Sequence, residues 1–178
     1  MQVHTPTLAE LVSDVAQRNG AKPALIYADT PISYADLNTR IERAANGLAA
    51  SGVAQGDRVA LLVPNIPEFV VAYYAILRCG AIVVPINVLF KTEEIAYVLQ
   101  DSGAKALILF ADFAPQGITA AEKGVLSLEG RRRWRCGRQG NNIVGRAHGR
   151  LDTGALTSQG SAGSHCHDLL HLRHHGAL

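Results

Sequence analysis

Asp57 to Asn87, DRVALLVPNIPEFVVAYYAILRCGAIVVPIN, carries the pattern that sets the fold class. Its apolar run Val59 to Val63 lies between Gly56-Asp57 and Pro64-Asn65, which marks a short strand buried on both faces. Pro67 and Glu68 then start a helix, because proline fits the first turn and an acid there meets the positive end of the helix dipole. Phe69, Val70, Tyr73, Tyr74, Ile76 and Leu77 wrap most of that helix, so it must be buried. Gly80 closes it in the left-handed conformation. Ile82 to Ile86 form a second strand, which Pro85 stops from being an ordinary central one. Strand, helix and strand in about thirty residues make a βαβ unit with parallel strands and a right-handed crossover.

Moving outward, Thr7 to Asn19 has Leu8, Leu11, Val12 and Val15 at helical spacing, with Thr7 and Glu10 as a capping box and Gly20 as the stop. Ala24 to Ala28 and Ile32 to Tyr34 predict a hairpin turning through Asp29-Thr30-Pro31. Ser33 caps a helix from Tyr34 to Ser51, with Leu37, Ile41, Ala44, Ala45 and Leu48 as its buried stripe and Gly52 as its end. On the other side, Thr92 caps a helix through Gln100 that carries Ile95, Val98 and Leu99 on one face. Ala106 to Phe110 supplies a further apolar strand. This alternation predicts an α/β layer fold with parallel strands, an incomplete domain over residues 1–120 followed by a disordered tail over 121–178.

Composition breaks where that pattern ends. Eight of the thirteen arginines and six of the seven histidines follow Leu126, whereas every Tyr and Phe precedes residue 114. The overall net charge of +2 therefore averages two unlike halves and says little about partners. From Ser127 onward glycine is frequent and no apolar period is sustained; only LTSQG and DLLHL hint at local order, too little burial to offset the entropy of ordering. Cys79, Cys136 and Cys166 show neither disulfide nor zinc spacing, and Cys79 reads as a small apolar filler. The N-terminus lacks the basic start and apolar run of a signal peptide, and a cytoplasmic location is expected. Arg78, Gly80, Pro85 and Asn87 interrupt the apolar segment well short of the roughly 20 residues that a membrane span needs.

Four pieces, in order and spacing, resemble the start of the acyl-CoA synthetases, the fatty-acid–CoA or AMP-dependent ligases of the adenylate-forming superfamily. They are TLAELVSDVAQRNGAKPALIY, ISYADLNTRIERAANGLAASGVAQGDRVALLVPNIPEF, AYYAILRCGAIVVPINVLF and EEIAYVLQDSGAKALIL, together covering about Thr7 to Phe110. The resemblance implies the family's chemistry. A carboxylate is activated with ATP and Mg²⁺ to an acyl-adenylate, and the acyl group passes to coenzyme A. It also implies a Ser/Thr/Gly-rich loop, YTSGTTG, whose N–H groups and hydroxyls cradle phosphate. That loop is absent from the chain as translated. Codons read from their second base make His171-Leu172-Arg173-His174-His175-Gly176 compatible with TSGTTG, and Leu128 to Arg133 compatible with LKAVVV. Two separated places agree on one frame, which points to a single-base shift between about Ala121 and Ser127 and also accounts for the unusual arginine, glycine and histidine content.

The remaining chemistry-bearing residues have simpler readings. His165, Cys166, His167, His171, His174 and His175 have the chemistry of zinc ligands, but CAY codons from threonine-rich DNA in the wrong frame account for them. Arg131 to Arg135 with Trp134 resembles a nucleic-acid patch without a folded platform, so no specific nucleic-acid partner is expected. Gly52, Gly56 and Gly80 lack dinucleotide-binding spacing and read as helix stops and turns; Glu93-Glu94, adjacent on a helix, read as a solvated first turn. Ser33, Tyr34 and Asp36 are assigned capping and packing. No catalytic, cofactor-binding or metal residue is therefore expected in this chain, and ATP, Mg²⁺ and CoA belong to the full-length family. The partners implied are a fatty acid or other carboxylate and a separately encoded remainder of the ligase. The alternatives are a non-catalytic α/β module that complements such a chain, or an adaptor acting through its basic, histidine-rich tail.

Overall fold

A computed structural model describes residues 7–123, 132–134 and 169–173. At its centre lie three parallel strands, β3 (Arg58–Leu62), β4 (Ile82–Pro85) and β5 (Ala106–Phe110), in the order β4-β3-β5. Strand β3 alternates its side chains between two cores because successive residues of a strand point to opposite faces. Val59 and Leu61 join Ala72, Ala75 and Ile76 of helix α3 (Pro67–Arg78) and Ala45 and Leu48 of helix α2 (Tyr34–Ala50). Ala60 and Leu62 join Ile95 and Leu99 of helix α4 (Thr92–Ser102) and Ala120 and Ala121 of helix α5 (Ala114–Lys123). Strand β5 divides in the same way, with Ala106 and Ile108 on the first side and Leu107 and Leu109 on the second. The chain is thus an α/β layer wound on both faces of a parallel sheet, as the continuous apolar runs of β3 and β5 require.

Helix α1 (Leu8–Asn19) and the antiparallel pair β1 (Pro23–Tyr27) and β2 (Thr30–Ser33) lie outside this layer. Val12, Ile32, Leu37 and Ile41 form their small core against Val70, Val71 and Tyr74 of α3. The expected Thr7 capping box is present: the Glu10 N–H donates to Thr7 Oγ1 at 3.4 Å, and the Thr7 N–H to Glu10 Oε2 at 2.8 Å. Ser33 caps α2 by accepting from the Asp36 N–H at 3.1 Å.

Three local expectations are corrected. The hairpin turns at Ala28-Asp29, not at Asp29-Thr30-Pro31, and Pro31 lies within β2. Both turn residues have positive φ, 46° and 60°, the geometry that matches the twist of a two-residue hairpin; Pro31 is tolerated because β2 is an edge strand. Helix α4 is capped from Lys91 rather than by Thr92, because the Glu94 carboxylate reaches back to the Lys91 N–H at 2.8 Å. Helix α5, which continues past residue 120, was not expected, since Gly117 in mid-helix weakens the local signal. Gly117 is needed for packing: a Cβ there would meet Leu109 Cδ2 at 2.8 Å and Leu62 Cδ2 at 3.3 Å.

The tail contributes β6 (Arg132–Trp134) and β7 (Leu169–Arg173), which extend the sheet to the order β4-β3-β5-β7-β6. Both pairings, β5 with β7 and β7 with β6, are antiparallel. The DLLHL hint overlaps β7, whereas LTSQG and most of the predicted disordered tail lie outside the described residues.

Candidate functional site

Open α/β sheets bind ligands beyond the carboxyl ends of their strands. Here that rim is built by Pro64 to Glu68 after β3, Ile86 to Lys91 after β4 and Phe110 to Phe113 after β5. Asn65, Asn87 and Asp112 are exposed, and Leu89 is 83% exposed. Asn87 holds its loop by accepting the Leu89 N–H on Oδ1 at 3.0 Å. Ile66 precedes α3 without a side-chain cap, Pro67 occupies the first turn, and Glu68 is buried beside the helix N-terminus. Val88, Phe90 and Phe113 pack down onto the core and anchor the rim.

These segments contain no arginine or glycine and one lysine, the exposed Lys91 that precedes α4; their other charged groups are the carboxyls of Glu68 and Asp112. Such a donor set does not fit the triphosphate of ATP, which needs cations and freely approached backbone N–H groups. The rim supplies shape and apolar walls; it has no acid–base pair and no nucleophile within reach of one.

The opposite, amino end of the sheet is polar and closely tied. Asp57, just before β3, accepts the Ala54 N–H on Oδ2 at 2.9 Å, and its Oδ1 lies 2.5 Å from Lys105 Nζ ahead of β5. Arg78 at the end of α3 donates through Nη2 to Ser13 Oγ and to Asn38 Oδ1, the latter at 2.9 Å, and its Nη1 lies 3.4 Å from Glu42. One guanidinium therefore joins α1, α2 and α3. A cleft of about 700 Å³ opens beside it, lined by Thr7, Glu10, Ser13, Asp14, Leu77 and Arg78. Nearby, the half-buried Cys79 thiol donates to the Ala45 carbonyl at 3.4 Å, and burial raises its pKa against a smaller lowering by the Ala49 backbone. Neither this joint nor the Asp57–Lys105 pair was anticipated: the first needs three helices to pack, and the second needs β3 and β5 to pair.

The residues weighed in the sequence take plain roles. Gly52, Gly56 and Gly80 have φ of 81°, 80° and 69° and serve as stops and turns. Glu94 caps its helix, while Glu93 pairs with Lys123 across to α5. Among the described residues no group of three or more His, Cys, Asp or Glu forms a metal site, and no helix is long and apolar enough to cross a membrane. The histidine–cysteine cluster and Arg131 and Arg135 lie outside the described residues, apart from the backbone of His171 in β7.

Comparison with known proteins agrees with the fold. The first part of the chain superimposes on the N-terminal domain of FACL13 from Mycobacterium tuberculosis with a TM-score of 0.62 and 35% identity, over 66% of this chain and 30% of that one. A crotonobetaine/carnitine–CoA ligase of Citrobacter koseri is 41% identical over 113 residues, 61% of this chain and 22% of that protein. A long-chain-fatty-acid–CoA ligase of Mycobacterium tuberculosis is 44% identical over 87 residues, 49% of this chain and 17% of that protein. The doubly wound layer is therefore that of the adenylate-forming enzymes. With the pattern of the AMP-binding enzyme family matching residues 12–140, the chain belongs to that family and is related to its acyl-CoA ligases. It spans about a fifth of the length of the curated relatives it matches.

Proposed function

We propose that this chain is the N-terminal scaffold of a ligase that adenylates a fatty acid or related carboxylate and transfers it to coenzyme A, and that the 178-residue chain alone does not catalyse the reaction. The observation that carries the proposal is the carboxyl rim: it lies at the end of the sheet where open α/β folds bind ligands, yet its segments hold no glycine and a single cation, Lys91, too little to cradle ATP phosphates. Similarity extends both to a fatty-acid ligase and to a crotonobetaine/carnitine ligase, so the substrate class is a carboxylate whose chain is chosen elsewhere in the enzyme. ATP, Mg²⁺ and CoA are cofactors of the complete assembly, which acts in the cytoplasm.

In this reading the scaffold ends near residue 120 and the rest is translated out of frame after a single-base shift between about Ala121 and Ser127. The family match continues to residue 140, past that window, so the coding DNA and not protein similarity has to locate the shift. Sequencing from about codon 118 past the stop tests it: a second-base frame reading LKAVVV and then YTSGTTG is expected, and a broken frame overturns the shift. Purified chain given ATP, Mg²⁺, CoA and a panel of fatty acids should form no acyl-CoA. Thioester formation would refute the proposed inactivity.

A further inference from the structure

The two strands that flank β3 differ in how their outer edges are protected. An open strand edge invites pairing with another chain, and proteins blunt it with short strands, proline, charge or a cover. Strand β4 has two of these devices, since it is four residues long and ends in Pro85, which has no N–H to offer. Strand β5, ALILF, has none. Its residues Ala106 to Leu109 are at most 3% exposed, it lacks proline and charge, and its register with β3 is regular. By its apolar, proline-free sequence and its cores on both faces, β5 is an interior strand that needs a neighbour on both sides.

The neighbour is β7, which pairs antiparallel with β5 along its whole length, from Ala106 opposite Arg173 to Phe110 opposite Leu169. Strand β6 then covers β7 over Arg132 to Trp134, so the outermost strand is three residues long and contains two arginines. The addition replaces a five-residue outer edge with one of three residues.

We propose that Leu169–Arg173, backed by Arg132–Trp134, is a self-capping ribbon that occupies in cis the strand-accepting edge of β5 and keeps it from pairing with a second copy of the chain. Main-chain pairing reads backbone geometry, so the cap functions whether its codons are in frame or not. The proposal is independent of the ligase reading.

Hydrogen exchange on the full-length chain tests it directly. Amides of β5 and β7 should exchange slowly and as one set, and light scattering after gel filtration should give a concentration-independent monomer. Rapid exchange throughout β7 would overturn the proposal. The second test is the double variant Leu170→Pro with His171→Pro. Neighbouring N–H groups point to opposite sides of an antiparallel strand, so one of the two faces β5. This variant should lose protection in β5, keep it in β3, and shift to dimers or larger species, with monomer restored by a synthetic peptide of residues 166–176. Unchanged mass and unchanged β5 protection would refute the cap. Loss of β3 protection as well would assign β7 to the folding core and equally refute it.

Discussion

The amino and carboxyl ends of the parallel sheet are finished in different ways. At the amino end, Gly52 and Gly56 before β3, Gly80 before β4 and Gly103 before β5 all turn the chain at positive φ. Asp57, Lys105 and Arg78 bind those turns and helix ends together across the sheet. At the carboxyl end the loops carry exposed amides and an exposed leucine, and the apolar side chains of Val88, Phe90 and Phe113 anchor them to the core. An α/β fold can afford rigidity at the end that does no chemistry, and it leaves the other end free for loops that a complete enzyme fits around its substrates.

Substitutions separate the two ends most clearly when set against the core between them. Leu61→Ala, at a fully buried position in β3, should cost about 2–5 kcal/mol in denaturant unfolding, and a cost below about 1 kcal/mol would show that the layer is loosely packed. At the amino end, Arg78→Met keeps much of the stem but removes the charged donor shared by α1 and α2, so a loss of about 1.5–3 kcal/mol is expected. Gly80→Ala should cost about 1 kcal/mol or more. Its φ of +69° disfavours any Cβ, and a Cβ there would come within 3.0 Å of Gln55 Cγ; unchanged unfolding would mean that the turn relaxes at no cost.

Cys79 gives the same end a pH signature. Its folded pKa is raised above 9.0, so the native state holds the thiol proton more tightly than the unfolded chain. The resulting stability is present below the unfolded pKa and declines as pH rises through the folded value. Cys79→Ala should flatten that alkaline decline, and an identical pH profile in both proteins would remove Cys79 as its source. The smallest effect belongs to the carboxyl end: Leu89→Ser, at an exposed loop position, should change stability by less than about 0.5 kcal/mol. A larger loss in unfolding experiments would show that this loop is as firmly tied as its counterparts.

Most of the layer was legible because several local signals agreed. Val59 to Val63, Pro67-Glu68, Gly80 and Ile82 to Ile86 each pointed to the same βαβ unit, and the structure places β3, α3 and β4 there. Ser33 and Thr7 announced their helices by the same cap chemistry they are seen to use. The misreadings fall where one signal competed with another. Pro31 drew the hairpin turn one to two residues too far along, although strand twist favours Ala28-Asp29. Gly117 hid α5, because a glycine that weakens an isolated helix is here the residue that lets it approach Leu62 and Leu109. The Arg78 joint was not legible at all, since Ser13, Asn38 and Glu42 share no pattern until three helices pack. As for the site, the residues at the carboxyl ends spell out loops and anchors without a phosphate-binding pattern, so they gave the sequence no motif from which to read chemistry.

The order β4-β3-β5 also has a consequence on the ribosome. The strand that ends up in the middle is made first, and it acquires its neighbours on opposite sides at different times. About fifty residues separate Leu62 from Phe110. At a synthesis rate of about 5–20 residues per second, the nascent β3 waits roughly 2–10 s with one side unpaired after it is made. During that interval one edge of VALLV lacks the strand neighbour it has in the finished sheet.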